Sequence, residues 1–238
     1  MERAADEVVR LDGATAVLTP SLPTVAHLNT LFVHAALDAD AIETLAGEQL
    51  GGLSNQRVVV DDETNGERVG GELTGRGWTR YGLAHLVRDG AEPPPDAAVL
   101  AEEVPYGHVR ELREEWLRSG AWGLDGDALN EVLEGDKRIF TGSPPRAFAV
   151  FEQGRPVAYA LLIDGGRDGM LEDVYTTPAA RGRGLSTATI AAVLHAARAE
   201  RHEVVFVPTD AAGGAAGLYE RLGFAPLAVQ PVFSRSTP

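Results

Sequence analysis

The sequence contains no cysteine among its 238 residues. Such a chain has no disulfide, no thiolate metal ligand and no cysteine nucleophile, and a cytoplasmic location is the simplest interpretation. Long apolar runs are missing as well, because no stretch approaches the roughly 20 residues of a membrane-spanning helix. The first residues, MERAADEVVRLDG, lack the apolar core of a signal peptide. We therefore expect a cytoplasmic protein without a membrane partner.

Basic residues are scarce, with 21 Lys and Arg against 35 Asp and Glu and a net charge of −14. This balance opposes nucleic-acid binding, which normally needs a basic surface. An acidic surface favours a cationic substrate such as an amine, or it serves only solubility; the charge alone leaves both open. His85, His108 and His202 show no metal-ligand spacing, so we expect no metal. No GxSxG run supports a serine hydrolase.

Hydrophobic periodicity and turn residues predict a mixed α/β fold. Strands are expected over residues 14–18, 28–33, 57–60, 78–87, 99–104, 147–152, 156–163, 203–207 and 224–235. Helices are expected over 39–50, 63–75, 106–119, 127–133 and 185–200, and from a cap at Asp210 to Leu222. Residues 134–145 are expected to form a polar loop. The order of these elements predicts a mixed sheet with helices on both faces.

The proline-rich segment AEPPPDAA, residues 91–98, is interpreted as a linker between units 1–95 and 96–238. The two units end alike. RVVVDDETNGERVGGELTGRGW begins at Arg57, and EVVFVPTDAAGGAAGLYERLGF begins at Glu203. In both, a β-branched strand leads to a helix, a glycine and an aromatic residue. This similarity indicates two related units in tandem, although any strand–helix–strand segment could give part of it.

The stretch from Leu171 to Thr187, LEDVYTTPAARGRGLST, joins a predicted strand to the 185–200 helix through a glycine-rich turn. The first amides of a helix have no internal acceptor, and the helix dipole favours negative charge at that end. Glycine allows a phosphate to approach the backbone closely. The turn therefore predicts an anion site, with an ordinary basic turn as the alternative.

Two motifs in the second unit resemble those of the GNAT N-acetyltransferase superfamily. The family pattern Arg/Gln-x-x-Gly-x-Gly/Ala is matched by Arg181, Gly184 and, less closely, Ser186. The run LYERLGF, 218–224, follows at the family's spacing. The stronger resemblance covers about 146–228, and a weaker one to a copy without the glycine motif covers roughly 14–88. It implies a GNAT acyl-CoA N-acyltransferase fold in two tandem related domains, the first degenerate.

The resemblance implies acetyl-CoA as co-substrate. The pyrophosphate would bind the amides of the turn, and the pantetheine would pair with the preceding strand at Val174 and Thr176. The implied cofactor-binding residues are Val174, Tyr175, Thr176, Arg181, Gly182, Arg183, Gly184, Leu185, Ser186 and Thr187.

Attack of an amine on a thioester needs a base for the ammonium, a donor for the oxyanion and an acid for the sulfur. The resemblance implies that Tyr219 is the acid and that the Val174 amide is the oxyanion donor. Glu172 and Asp173 are the candidate bases. Glu172 is favoured because on a regular strand it shares a face with Val174, whereas Asp173 points the other way. Water is the alternative base.

The predicted function is N-acetyl transfer from acetyl-CoA to a primary amine of a small molecule or peptide. A non-catalytic acyl-CoA-binding regulatory module is the alternative, and the acyl group could differ from acetyl. The expected partner is the amine substrate, with a homodimer as an option and no nucleic acid. The first unit, which lacks the glycine turn, is expected to be structural or to close part of the acceptor cleft.

Overall fold

The computed structural model describes residues 2–120, 123–141 and 144–236. Its strands are β1 Glu7–Leu11, β2 Ala14–Leu18, β3 Thr30–Val33, β4 Asn55–Val60, β5 Thr79–Asp89, β6 Glu102–Val104, β7 Arg146–Glu152, β8 Arg155–Asp164, β9 Asp168–Thr176, β10 Val204–Asp210 and β11 Ala225–Ser236. Its α-helices are α1 Ala39–Leu50, α2 Glu63–Gly75, α3 Arg110–Ser119, α4 Gly126–Ile139, α5 Leu185–Ala199 and α6 Ala216–Arg221. In these ranges no helix is long and apolar enough to cross a membrane.

Helices α1 and α2 have the predicted bounds, and both begin at an aspartate cap. The Asp38 carboxylate accepts a hydrogen bond from the Ala41 amide at 2.8 Å, and the Asp62 carboxylate accepts one from the Asn65 amide at 2.6 Å. An acceptor at this position satisfies an otherwise unpaired amide of the first turn. The caps explain why the two helices begin at Ala39 and Glu63.

The predicted polar loop over 134–145 is wrong for its first half, because α4 continues to Ile139. The buried positions Leu129, Val132 and Asp136 recur at helical spacing. A buried aspartate in that stripe made the pattern look polar. Residues 142–143 of the predicted loop lie outside the described ranges.

The helix predicted to start at Asp210 begins instead at Ala216, because β10 extends through Asp210. The Asp210 carboxylate accepts a hydrogen bond from the Ala212 amide at 2.9 Å. The aspartate therefore closes a turn rather than capping a helix, a role to which its side chain is equally suited.

One sheet of eleven strands runs through the molecule, in the order β1-β2-β3-β4-β11-β5-β10-β9-β8-β7-β6. The same order of elements occurs twice: three antiparallel strands are followed by a helix, a strand, a helix and a last strand. The first copy runs from β1 to β5, and the second runs from β7 through α5, β10 and α6 to β11. The two last strands are exchanged: β11 pairs with β4 of the first unit, and β5 pairs with β10 of the second. The division at 95/96 therefore runs through one continuous sheet.

Helices α1, α2, α5 and α6 cover one face of this sheet. Phe233 of β11 joins the α1–α2 core, and Leu86 of β5 joins the α5–α6 core. Helices α3 and α4 lie on the opposite face, where Leu112 packs against Tyr159 and Leu161 of β8. The buried stripe of α5 consists of Ile190, Val193, Leu194 and Ala197, which are no more than 2% exposed.

Candidate active site

The site begins where two parallel strands separate. Strands β9 and β10 pair only from Asp168 with Val204 to Met170 with Phe206. Beyond that point, β9 pairs with β8 alone, and residues 207–210 of β10 pair with β5 alone. Backbone groups along both strands therefore face a gap in the sheet. An extended chain can enter such a gap and hydrogen-bond to a strand edge.

A bulge in β9 lies beside this gap. Tyr159 of β8 pairs with Tyr175, but two residues later Leu161 pairs with Glu172, so β9 contains one extra residue. Asp173 within the bulge has a φ of 52°, which is left-handed and uncommon outside glycine. The extra residue re-aims the side chains on either side of it.

Because of the bulge, the side chains of β9 do not alternate between the two faces of the sheet as they would on a regular strand. Glu172 pairs with Leu161, which packs in the α3 layer, whereas Val174 packs against the α5–α6 core. The expectation that Glu172 and Val174 share a face is therefore wrong. A single inserted residue exchanges the two faces of a strand, and the sequence carries no direct mark of it.

The turn after β9 presents unused amides. Gly182 and Gly184 have φ values of 75° and 76°, and a Cβ at either would meet open space. Helix α5 has no side-chain cap at Gly184. In the part of the chain that the structure describes, none of the amides of 182–187 donates a hydrogen bond. Unpaired amides at a helix N-terminus form a site suited to an anion.

The side chains predicted to bind cofactor mostly brace this turn. The Arg181 Nε donates to the Thr176 carbonyl at 3.2 Å, and the Ser186 hydroxyl lies 2.9 Å from the Thr176 hydroxyl. The Arg183 guanidinium forms an ion pair with Glu152. The site that remains for an anion is therefore made of backbone.

Three further predicted residues are placed by their packing. Leu185 is buried at the start of α5. The Tyr175 hydroxyl donates to Glu115 of α3 at 3.1 Å, so that side chain lies against α3. Thr187 follows Ser186 in the first turn of α5. Of these three, Tyr175 can contribute to the gap through its backbone only.

Glu172 of β9 and Tyr219 of α6 are close enough for the charge of Glu172 to act on the Tyr219 phenol. Burial, and next the charge of Asp173, raise the pKa of Glu172 to about 7. Burial, and next the charge of Glu172, raise the pKa of Tyr219 to about 12. Tyr219 lies on α6 and packs edge-to-face on Phe224 at 5.8 Å between ring centroids. The site thus holds a carboxyl that titrates near neutrality beside a phenol that stays protonated.

Asp173, the second candidate base, is occupied by an ion pair that the sequence did not reveal. Arg113 NH1 lies 2.9 Å from its Oδ1, and the same guanidinium binds Asp136 of α4. Burial raises the pKa of Asp173, and the Arg113 charge counteracts that rise. The available signal was Arg113 itself, which lies four residues from both Val109 and Leu117 on the buried stripe of α3.

The residues at the gap fit a coenzyme A thioester. A row of free amides suits the pyrophosphate, and the open edge of β9 suits an extended amide-bearing arm. Within the described ranges, no group of three or more His, Asp or Glu side chains is arranged to hold a metal ion.

Comparison with known proteins agrees with this geometry. Residues 109–224 match the family model described as "Acetyltransferase (GNAT) family". A comparison with curated proteins finds no match. Similar solved structures include a GCN5-related N-acetyltransferase from Kribbella flavida, which is 17% identical with a TM-score of 0.65, covering 98% of this chain and 91% of that one.

Two other solved structures cover nearly the whole chain. A functionally unknown conserved protein from Staphylococcus epidermidis is 13% identical with a TM-score of 0.75, covering 98% of this chain and 95% of that one. A tandem GNAT protein from the clavulanic acid biosynthesis pathway is 16% identical with a TM-score of 0.60, covering 97% of this chain and 82% of that one. The predicted mixed α/β GNAT fold is confirmed. Residues 109–224 of this chain form a domain of the GNAT acetyltransferase family.

Proposed function

We propose that this protein transfers an acetyl group from acetyl-CoA to the primary amine of a small molecule or peptide. The proposal rests on the gap between β9 and β10. Glu172 and Tyr219 lie beside this gap, and the unpaired amides of 182–187 belong to the turn that follows β9. When bound, acetyl-CoA supplies the thioester. The amine nitrogen forms a bond to the acetyl carbon, the carbon–sulfur bond breaks, and the proton lost by nitrogen is returned to sulfur.

Glu172 is the proposed base. A carboxyl with a pKa near 7 exists partly as the carboxylate at neutral pH and is far more basic than an ordinary glutamate. Its Oε2 accepts a hydrogen bond from the Asp173 amide at 3.3 Å, which orients the side chain. Asp173, bound by Arg113, is proposed to act on Glu172 through its charge rather than to take the proton itself.

Tyr219 is the proposed acid. With its pKa raised to about 12, the phenol keeps its proton until a strong base such as a thiolate forms beside it. Val174, one of the bulge residues without a partner in β8, is the proposed oxyanion donor through its amide. The amides of 182–187 and the backbone of Val174, Tyr175 and Thr176 are proposed to hold the coenzyme.

The first unit is proposed to form one wall of the acceptor side. Leu28 of its 3-10 turn Ala26–Leu28 packs in one cluster with Leu117 of α3 and Leu129 of α4. A Cβ at Gly135 of α4 would lie 3.1 Å from the Leu28 side chain, so the two surfaces are in close contact. Burial lowers the pKa of His27 to about 4, and its charged neighbours are Asp136 and Arg113 of the second unit and Arg57 of the first. The acceptor side therefore combines groups from both units.

The test is a panel of amines with acetyl-CoA, with thiol release as the readout, on the wild type and the Tyr219→Phe variant. We expect turnover of at least one amine, a fall in kcat of about 100-fold in the variant, and unchanged CoA affinity by calorimetry. Tyr81→Phe, which removes a hydroxyl from the half-exposed face of β5, is the control and should leave kcat unchanged. CoA binding without thiol release across the panel would favour a regulatory acyl-CoA-binding module instead.

A further inference from the structure

A buried ion cluster connects the α3–α4 layer to the bulge at the gap. Arg113 of α3 binds Asp136 of α4 through Nε at 3.2 Å and NH2 at 3.4 Å, and binds Asp173 of β9 through NH1 at 2.9 Å. All three side chains are 10% exposed or less. A buried carboxylate without a partner is strongly unfavourable, so the cluster depends on its one cation.

The Arg113 guanidinium is held in one orientation. Its Cζ lies 4.8 Å from the ring centroid of Trp116, one turn along the same helix. A planar cation stacked on an indole, with a two-point bond to one carboxylate, has little freedom to turn. Its remaining contact therefore fixes the Asp173 carboxylate at a defined place.

The backbone of Asp173 needs such a fixed contact. A left-handed conformation is unfavourable for any residue with a Cβ, and it persists only where the surroundings impose it. Without the Arg113 contact, the extra residue of the bulge is free to shift along the strand. A shift of one residue would carry Glu172 to the opposite face of β9.

We propose that Arg113 is a positioning residue for the transfer reaction. By binding Asp173, it holds the bulge of β9 and so keeps Glu172 beside the gap on the α3 face of the strand. The inference rests on the proposed function, and it adds that the α3–α4 layer sets the geometry of the base.

The first test compares Arg113→Met with Arg235→Met in the full chain. Arg235 is a matched control, because it also stacks on a tryptophan, Trp78 at 4.4 Å, and also pairs with a carboxylate, Glu43 at 2.7 Å, but both of these partners belong to the first unit. We expect Arg113→Met to lower kcat about 100-fold with CoA affinity unchanged. Arg235→Met should lower Tm and leave kcat unchanged. Equal kcat in the two variants would overturn the proposal.

The second test changes the bulge residue. Asn adopts the left-handed conformation more readily than most residues, whereas Val resists it. Asp173→Val should lower kcat as much as Arg113→Met does, and Asp173→Asn much less. In the Arg113→Met background, Asp173→Asn removes one of the two carboxylates left without a cation, Asp136 being the other. Its kcat should stay well below that of Asp173→Asn alone, because Arg113 no longer holds the bulge. This double variant replaces the single one if Arg113→Met does not fold. Equal kcat for Asp173→Val and Asp173→Asn would contradict the proposal.

Amide hydrogen exchange provides a readout without turnover. In Arg113→Met, the amides of residues 171–177 should exchange faster than in the wild type, with no such change in Arg235→Met. If the wild type acetylates no amine, the proposed function fails and the exchange result alone decides whether Arg113 holds the bulge. Unchanged exchange in that segment would refute the positioning role even in an active enzyme.

Discussion

Each unit contains one pair of parallel strands, β3 with β4 in the first and β9 with β10 in the second. The end of this pair, called the junction here, is closed in the first unit and open in the second. In the first unit β3 and β4 pair up to their last residues, Val33 and Val60, and the Asp61 amide donates to the Val33 carbonyl at 3.0 Å. His34 Nδ1 lies 2.5 Å from the Asp61 carboxylate just beyond. In the second unit β9 continues past its last pair with β10 and carries the bulge. The first junction has no room for a pantetheine arm.

The first turns of α1 and α5 differ in the same way: the start of α1 is closed to an anion, and the start of α5 is open. At α1 the Asp38 carboxylate already fills the place of an anion, and Asp40 adds a second negative charge in the first turn. At α5, Gly184 leaves the amides unpaired. A carboxylate cap satisfies the amides and repels a phosphate. The residue at the cap position, aspartate or glycine, therefore decides whether the helix start can bind an anion. One CoA per chain is the expected stoichiometry.

The largest effect is expected at Glu172, which has no counterpart in the first unit because β3 ends where β9 continues. For an amine with a pKa near 10, kcat/KM should rise with pH and level off above about 7, since Glu172 is inactive while protonated. Glu172→Gln should lower kcat/KM about 100-fold or more and abolish this rise. Glu203→Gln is the control, because Glu203 precedes β10 and pairs with Arg167. A rise that survives in Glu172→Gln would point to water as the base.

The next effect in size concerns the helix start of the second unit. Gly184→Val places a β-branched residue at a φ of 76° beside the free amides, so phosphate contacts are lost. CoA affinity by calorimetry should fall about 10- to 100-fold, the equivalent of one hydrogen bond to a charged group. Gly154→Val has the same backbone strain, with a φ of 77°, in the β7–β8 turn. Equal loss of affinity in both variants would mean that strain alone explains the result.

The smallest effect is expected at the closed site. Asp38→Ala removes the α1 cap and should lower the free energy of unfolding by about 1 kcal/mol. Urea denaturation checks this value, and calorimetry should give an unchanged CoA affinity and one CoA per chain. A second CoA bound by Asp38→Ala would indicate that the carboxylate alone excludes the ligand from the first unit.

The sequence predicted those features that depend on local chemistry. Hydrophobic periodicity predicted α1 and α2, and the glycines predicted the turn before α5. The bulge could not be predicted, because register depends on pairing between β8 and β9 and not on β9 alone. Arg113 could not be predicted as a site residue, because a charged residue is buried only with a partner, and its partner Asp173 lies far along the chain.

The exchange of last strands has a consequence for the order of events during synthesis. β11, the final strand, lies between β4 and β5, so Val59 pairs with Val232. Until residues 225–236 leave the ribosome, β4 and β5 each lack a neighbour, and their exposed edges can pair with other chains. Such long-range pairing also slows folding, since the loop must close before its contacts form. Nascent chains shortened before β11 should therefore aggregate unless a chaperone binds them.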